Sequence, residues 1–185
     1  MILSNEEKNI LLSIAFKSIE YKIKNNRKYK IEKSSLTSNL KKNTATFVTL
    51  YVNDELHGCI GSLKAFRPLA EDVLYNAFSA AFEDYRFNPV KESDLNQLKV
   101  EISLLSEPVR ILFESEADLL EKITMYKDGL IMKSGKSQAT FLPSVWEKLP
   151  DKVQFLQKLK EKAGLPSGFW SDQIEFFKYN VIKIS

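Results

Sequence analysis

One thiol and one imidazole stand two residues apart in Leu56-His57-Gly58-Cys59-Ile60-Gly61, and they are the single Cys and the single His of a 185-residue chain. A cysteine with a neighbouring base or cation is the raw material of a nucleophile or a redox centre, because the thiolate is the reactive form. If the segment is a strand, period-two geometry sends His57 and Cys59 to one face and Leu56 and Ile60 to the other. Residues two apart on a strand have Cα atoms about 6.6 Å apart, so a direct hydrogen bond needs a bent strand or a bridging water. Gly58 and Gly61 mark a bulge, or let a backbone or a ligand come close to the thiol. Against a reactive thiolate in a substrate-lined groove stands a plainer role, a small buried hydrophobe between glycines needed for packing. For an isolated cysteine the plainer role is the commoner one.

Other chemistries are excluded more firmly. One Cys and one His allow no intramolecular disulfide and no zinc site of the Cys/His type within one chain, and a Ser-His-Asp constellation would have to pass through His57. Gly135-Lys136-Ser137 looks like the end of a phosphate-binding loop, but the glycine required five positions earlier is Leu130. Neither a Gly-x-Ser-x-Gly elbow nor a Gly-x-Gly-x-x-Gly fingerprint occurs. Asp84, Glu83, Glu92 and Asp94 are spaced like no Ca²⁺ loop.

Charge is uneven along the chain. Residues 1–50 carry ten Lys/Arg against four Asp/Glu, a balance of +6, so with +3 overall the remaining 135 residues carry −3. The excess lies between Lys22 and Lys42, beside Tyr21 and Tyr29, where cations and rings could take phosphates and unpaired bases. A solvated helix end and loop explains the same residues and is the more frequent case. The amino-terminal stretch through Glu7 is acidic where a secretory signal is basic, and the longest apolar run there, Ile10–Phe16, is broken by Ser13. A cytosolic protein with a reduced thiol and no membrane span is expected.

The elements that must position these residues follow from periodicity. Ser4 and Glu7 make a capping box for a helix reaching Asn25-Asn26. Residues 44–52 suit a strand, Asn53-Asp54 a turn, and 55–62 its hairpin partner. Pro68 suits the first turn of a helix whose face is Leu69, Val73, Ala77, Ala80 and Ala81. A polar loop, 84–89, precedes an alternating strand over 99–105. A helix over 117–124, a hairpin of 130–133 with 138–142, a helix over 151–163 stopped by Gly164, and one closing strand over 174–184 complete the chain. This order predicts an α+β fold, a mostly antiparallel sheet flanked by helices, in one domain over 1–185, with 107–150 as the place for any smaller lobe.

Leu56–Gly61 resembles the Leu-Arg-Gly-Cys-Ile-Gly signature of the AMMECR-one domain family, whose prokaryotic members are called AmmeMemoRadiSam system protein A. Residues 80–89, an Ala-rich helix end followed by Asp84-Tyr85-Arg86-Phe87-Asn88-Pro89, are similar to that family's Asp-x-Arg-Phe-x-Pro loop. Residues 98–106 are similar to its Glu-bearing strand, and 139–146, 163–165 and Trp170 match its order. His57 stands where the family pattern has Arg, which removes a bidentate anion grip. The resemblance implies an α+β fold in two unequal lobes and an association with a Memo-like protein and a radical S-adenosylmethionine enzyme. It implies no established activity. Carried over by position, the candidate catalytic residues are Cys59, His57, Arg86 and Glu101, and the candidate binding residues are Gly58, Gly61 and Asp84, with no metal ligand. Asp84 and Arg86 could equally be a loop-fixing ion pair, and Glu101 a buried structural partner.

Three functions compete on these residues. An enzyme or enzyme-associated subunit would use Cys59 as nucleophile or redox centre, with Arg86 or His57 activating it. A non-catalytic adaptor would dock a partner through Tyr85, Phe87 or Trp170. A nucleic-acid-binding module would use residues 22–42.

Overall fold

Ser4 and Glu7 close the expected capping box, each side chain taking the other's main-chain N–H, and helix α1 runs Asn5–Asn25 to a left-handed cap at Asn26. In the computed structural model, which describes residues 2–185, the remaining elements are β1 (Thr46–Val52), β2 (Glu55–Gly61), α2 (Leu69–Phe82), β3 (Leu98–Leu105), β4 (Val109–Ile111), α3 (Glu116–Lys122), β5 (Gly129–Ser134), β6 (Ser137–Phe141), α4 (Lys152–Lys162), β7 (Glu175–Tyr179) and β8 (Val181–Ile184). They form two units, the first ending at Leu105 and taking back Ile182–Ser185, the second Ser106–Val181.

The first unit is a four-stranded sheet, order β2-β1-β3-β8, with α1 and α2 packed on it. Asn53 and Asp54 both adopt positive φ, 53° and 65°, the conformation of the two-residue turn whose twist matches its strands. Alternation decides which face is dry. Val48, Leu50, Ile102 and Leu104 point into a core shared with Leu11, Ile14, Ile19, Val73 and Ala77. Thr49, Cys59 and Glu101 lie on the opposite face, half-buried. Inside the core wall, Asp72 of α2 accepts hydrogen bonds from Thr46, Ser62, Asn76 and Arg67, which ties the helix to the sheet with its buried charge matched.

The second unit carries a sheet of order β4-β7-β5-β6 and a core built on Trp146, Phe155, Leu159 and Phe176. The Trp146 and Phe155 rings stack at 3.6 Å, and Trp146 Nε1 donates to the Asp128 carbonyl at 2.8 Å. Lys160, fully buried, reaches Glu116 at 3.1 Å.

Two expectations need revision. The unit beyond Leu105 does not stop near residue 150 but extends to Val181, because β7 lies between β4 and β5 in its sheet. The closing strand is two strands in different sheets, β7 and β8, broken at Asn180, whose N–H and C=O are taken by Ser106. The segment is rich in Phe, Tyr, Val and Ile and contains no Gly or Pro, so only Asn180 itself marks the break. The α+β class with antiparallel hairpins stands.

Candidate functional site

Strand β2 is an edge strand, and its pairing with β1 slips at Leu50/Tyr51: Leu56 faces Tyr51, Gly58 faces Leu50, and His57 is the extra residue between them. The bulge overturns the simple alternation. Leu56 and Cys59 now share the open face, Gly58 and Ile60 the helix face, and His57 stands out of sequence with both. Its ring stacks on Phe87 at 6.3 Å between centroids, and its Nε2 is buried with no hydrogen-bond partner.

Cys59 is positioned through its main chain. Its N–H donates to Asp84 Oδ2 at 2.9 Å, and its carbonyl accepts from Arg86 Nη2 at 2.9 Å. Asp84 and Arg86 therefore do for the free edge of β2 what a fifth strand would do, satisfying its exposed polar groups. The two side chains are also joined to each other, Arg86 Nε and Nη2 reaching Asp84 at 2.8 and 2.7 Å. Arg86 holds the Asp84 carboxyl far below the usual carboxylate range; burial works against this and the Cys59 N–H adds to it. Arg86 is correspondingly raised, chiefly by its hydrogen bonds to Asp84.

On the open face Cys59 lies directly across from Thr49, and Thr49 directly across from Glu101. Because the main-chain groups of Cys59 point outward, its pair with Thr49 is the close, non-hydrogen-bonded kind. Thr49 Oγ1 donates to Cys59 Sγ at 3.3 Å. Glu101 in turn meets Lys183 of β8 at 3.2 Å. The result is a transverse row across four strands: thiol, hydroxyl, carboxylate, ammonium. Strand spacing puts Cys59 and Glu101 Cα atoms about 10 Å apart, room for a small molecule laid over Thr49.

The two motif glycines serve packing. A Cβ on Gly58 would strike the Ala80 carbonyl of α2, and one on Gly61 would strike the Phe47 ring and the Thr46 carbonyl. Of the sequence candidates, Cys59, Asp84 and Arg86 are in direct contact, Glu101 joins them through Thr49, and His57 faces Phe87. Thr49 and Lys183 were not among the candidates, since only strand register makes them neighbours of Cys59 and Glu101. Among the described residues no three His, Cys, Asp or Glu side chains gather where they would hold a metal ion.

The family model AMMECR1 matches residues 12–184. The chain belongs to the AMMECR1 family. An AMMECR1-family relative in Methanopyrus kandleri, protein MK0488, is 35% identical over 172 residues, spanning 91% of this chain and 82% of its own. Protein NEQ441 of Nanoarchaeum equitans is 34% identical over 164 residues, 88% of this chain and 90% of its own. Among solved structures, that of the uncharacterized protein PH0010 from Pyrococcus horikoshii superposes with a TM-score of 0.87 at 30% identity, covering 98% of this chain and 92% of the other. Among the described residues no helix is long and apolar enough to cross a membrane.

Proposed function

We propose that the open face of the first sheet is the working surface of a cytosolic enzyme or enzyme-associated subunit, with Cys59 as its nucleophile or redox centre. In this reading it acts alongside a Memo-like protein and a radical S-adenosylmethionine enzyme. The observation that carries it is the row itself. A half-buried thiol receives the Thr49 hydroxyl and shares its face with the Glu101–Lys183 pair. Thr49 fixes where the sulfur points. Asp84 and Arg86 are positioning residues, holding the Cys59 main chain from the sheet edge, and Glu101 with Lys183 offers a polar anchor of either sign for a substrate group.

Iodoacetamide tests it directly, because one thiol makes assignment unambiguous. Native Cys59 should be alkylated at neutral pH about ten times faster than in denaturant, and Thr49→Val should remove most of the excess. A thiol that stays silent until the chain unfolds defeats the reading.

The adaptor reading has one observation in its favour: Tyr85, between the two clamp residues, is 97% exposed. Trp170 instead packs on Phe113 and Phe176, and Phe87 lies beside His57 and Arg86. An adaptor would lose its partner with Tyr85→Ala and keep it with Cys59→Ser.

A further inference from the structure

We infer that the first unit carries a second site, away from Cys59, that binds single-stranded nucleic acid on a strip of alternating rings and cations. Its centre is a cavity of about 220 Å³ walled by Ser18, Lys28, Tyr29, Lys30, Tyr75 and Phe78, with no acid in its lining. Lys28 Nζ sits 4.4 Å over the Phe78 ring. On one side Tyr29 pairs with Tyr21 at 5.7 Å between centroids. On the other, Arg67 is sandwiched between Tyr75 and Phe66, 4.6 and 4.5 Å from the ring centres. Tyr21, Tyr75 and Phe66 are 39%, 44% and 61% exposed, so each presents surface to a ligand beside its contact with Tyr29 or Arg67.

The tertiary structure sorts the basic segment in a way its sequence does not. Lys24 is paired with Glu20 and Lys33 with Glu71, while Lys22 and Lys42 reach Asn26 and Asn39. Lys17, Lys28 and Lys30 have no ion-pair partner among the described residues; Lys28 and Lys30 line the central cavity, and Lys17 lines two others that share Tyr29 and also hold Glu6, Glu20 and Glu32. Arg67 is already matched by Asp72, so it extends the stack rather than taking a phosphate. Free cations to track a phosphate backbone, set between exposed rings that accept any base, are what sequence-tolerant binding of unpaired strands requires. Apart from the Tyr21–Tyr29 pair, the rings are flanked by Lys28 and Arg67 rather than merged into one apolar patch, which disfavours a protein-docking face. The cavity is smaller than the roughly 300 Å³ of a drug-sized pocket, a scale for one heterocycle.

Fluorescence anisotropy with a labelled oligouridylate of about 12 nucleotides tests the site, with oligothymidylate separating RNA from DNA preference; tighter binding of either single strand supports it. Three lysines imply that affinity falls roughly 20-fold between 50 and 200 mM salt. Tyr29→Ala with Tyr75→Ala should weaken binding at least about five-fold at fixed salt. Lys28→Glu with Lys30→Glu, on exposed side chains, should abolish it, and cooperative urea unfolding of each variant confirms that it folds. The inference is overturned by absence of binding at 50 mM salt, by binding that ignores the paired tyrosine substitutions, by equal affinity for duplex, or by anionic phosphatidylserine vesicles displacing the oligonucleotide. None of these outcomes bears on Cys59.

Discussion

Asp84 and Arg86 act on Cys59 through its main chain rather than its sulfur, and this changes what their substitution should do. Asp84→Asn keeps the side chain's shape but removes the charge that Arg86 and the Cys59 N–H both use. A loss of about 2 kcal/mol in urea unfolding at neutral pH is expected, the scale of hydrogen bonds to a charged group with one partner half-exposed. The pH dependence has a definite sign. The folded-state value of Asp84 is depressed below its unfolded value, near 3.9, so its contribution is complete above about pH 4 and disappears as the pH falls further. The gap between wild type and Asp84→Asn should therefore close below about pH 4; a gap that persists undiminished at pH 2.5 would assign the loss to shape rather than charge.

At the level of elements, one buried hydroxyl ties β7 to β6 across the intervening β5 in the second unit. Tyr179 bonds Thr140 Oγ1 at 2.9 Å and the Phe141 carbonyl at 3.2 Å, and burial pushes its phenol up to about 12 while the Thr140 hydrogen bond partly offsets the rise. A raised phenol stabilises the fold fully below its unfolded value, about 10, and that contribution is lost as the pH climbs toward 12. Between those limits wild type should lose stability relative to Tyr179→Phe, and the last step of the phenolate absorbance titration should vanish in the variant. Periodicity made this strand legible as a strand. The hairpins and helix caps were equally legible: the Ser4–Glu7 box, the positive φ of Asn53, Asp54 and Gly135, and the left-handed Gly164 are local events between residues a few positions apart. The bulge at His57 was not legible, because it exists only in the pairing of β2 with β1.

For the whole molecule, the first unit is completed from the far end of the chain. Ile184 is buried in its core and Lys183 pairs with Glu101, both on β8. Deleting residues 182–185 removes these contacts and exposes the edge of β3, and the lost burial of Ile184 alone is worth about 2 kcal/mol. The chain supplies its own separate reporters, with Cys59 in the first unit and Trp146 and Trp170 in the second. In the truncated chain the urea midpoint read by Cys59 alkylation should fall well below the wild-type value, and the tryptophan-fluorescence midpoint should move less. Equal shifts by both probes would contradict a separate first core.

The sequence by itself determined the element order apart from β4 and the division of β7 from β8, the α+β class, the dry faces of α2 and β3, and the family to which the chain belongs, because each rests on residue types and spacings that act locally. It also singled out Cys59, Asp84, Arg86 and Glu101 as residue types able to do chemistry. Tertiary structure alone decided what they touch. Strand register brought Thr49 to the sulfur and Lys183 to Glu101 across a long stretch of chain. The edge position of β2 turned Asp84 and Arg86 toward main-chain groups. Close approach of α2 gave Gly58 to packing, and the division of the closing segment between two sheets followed from pairing partners distant in sequence. Side-chain periodicity is written in neighbouring residues, whereas register and edge exposure depend on partners that no local pattern specifies.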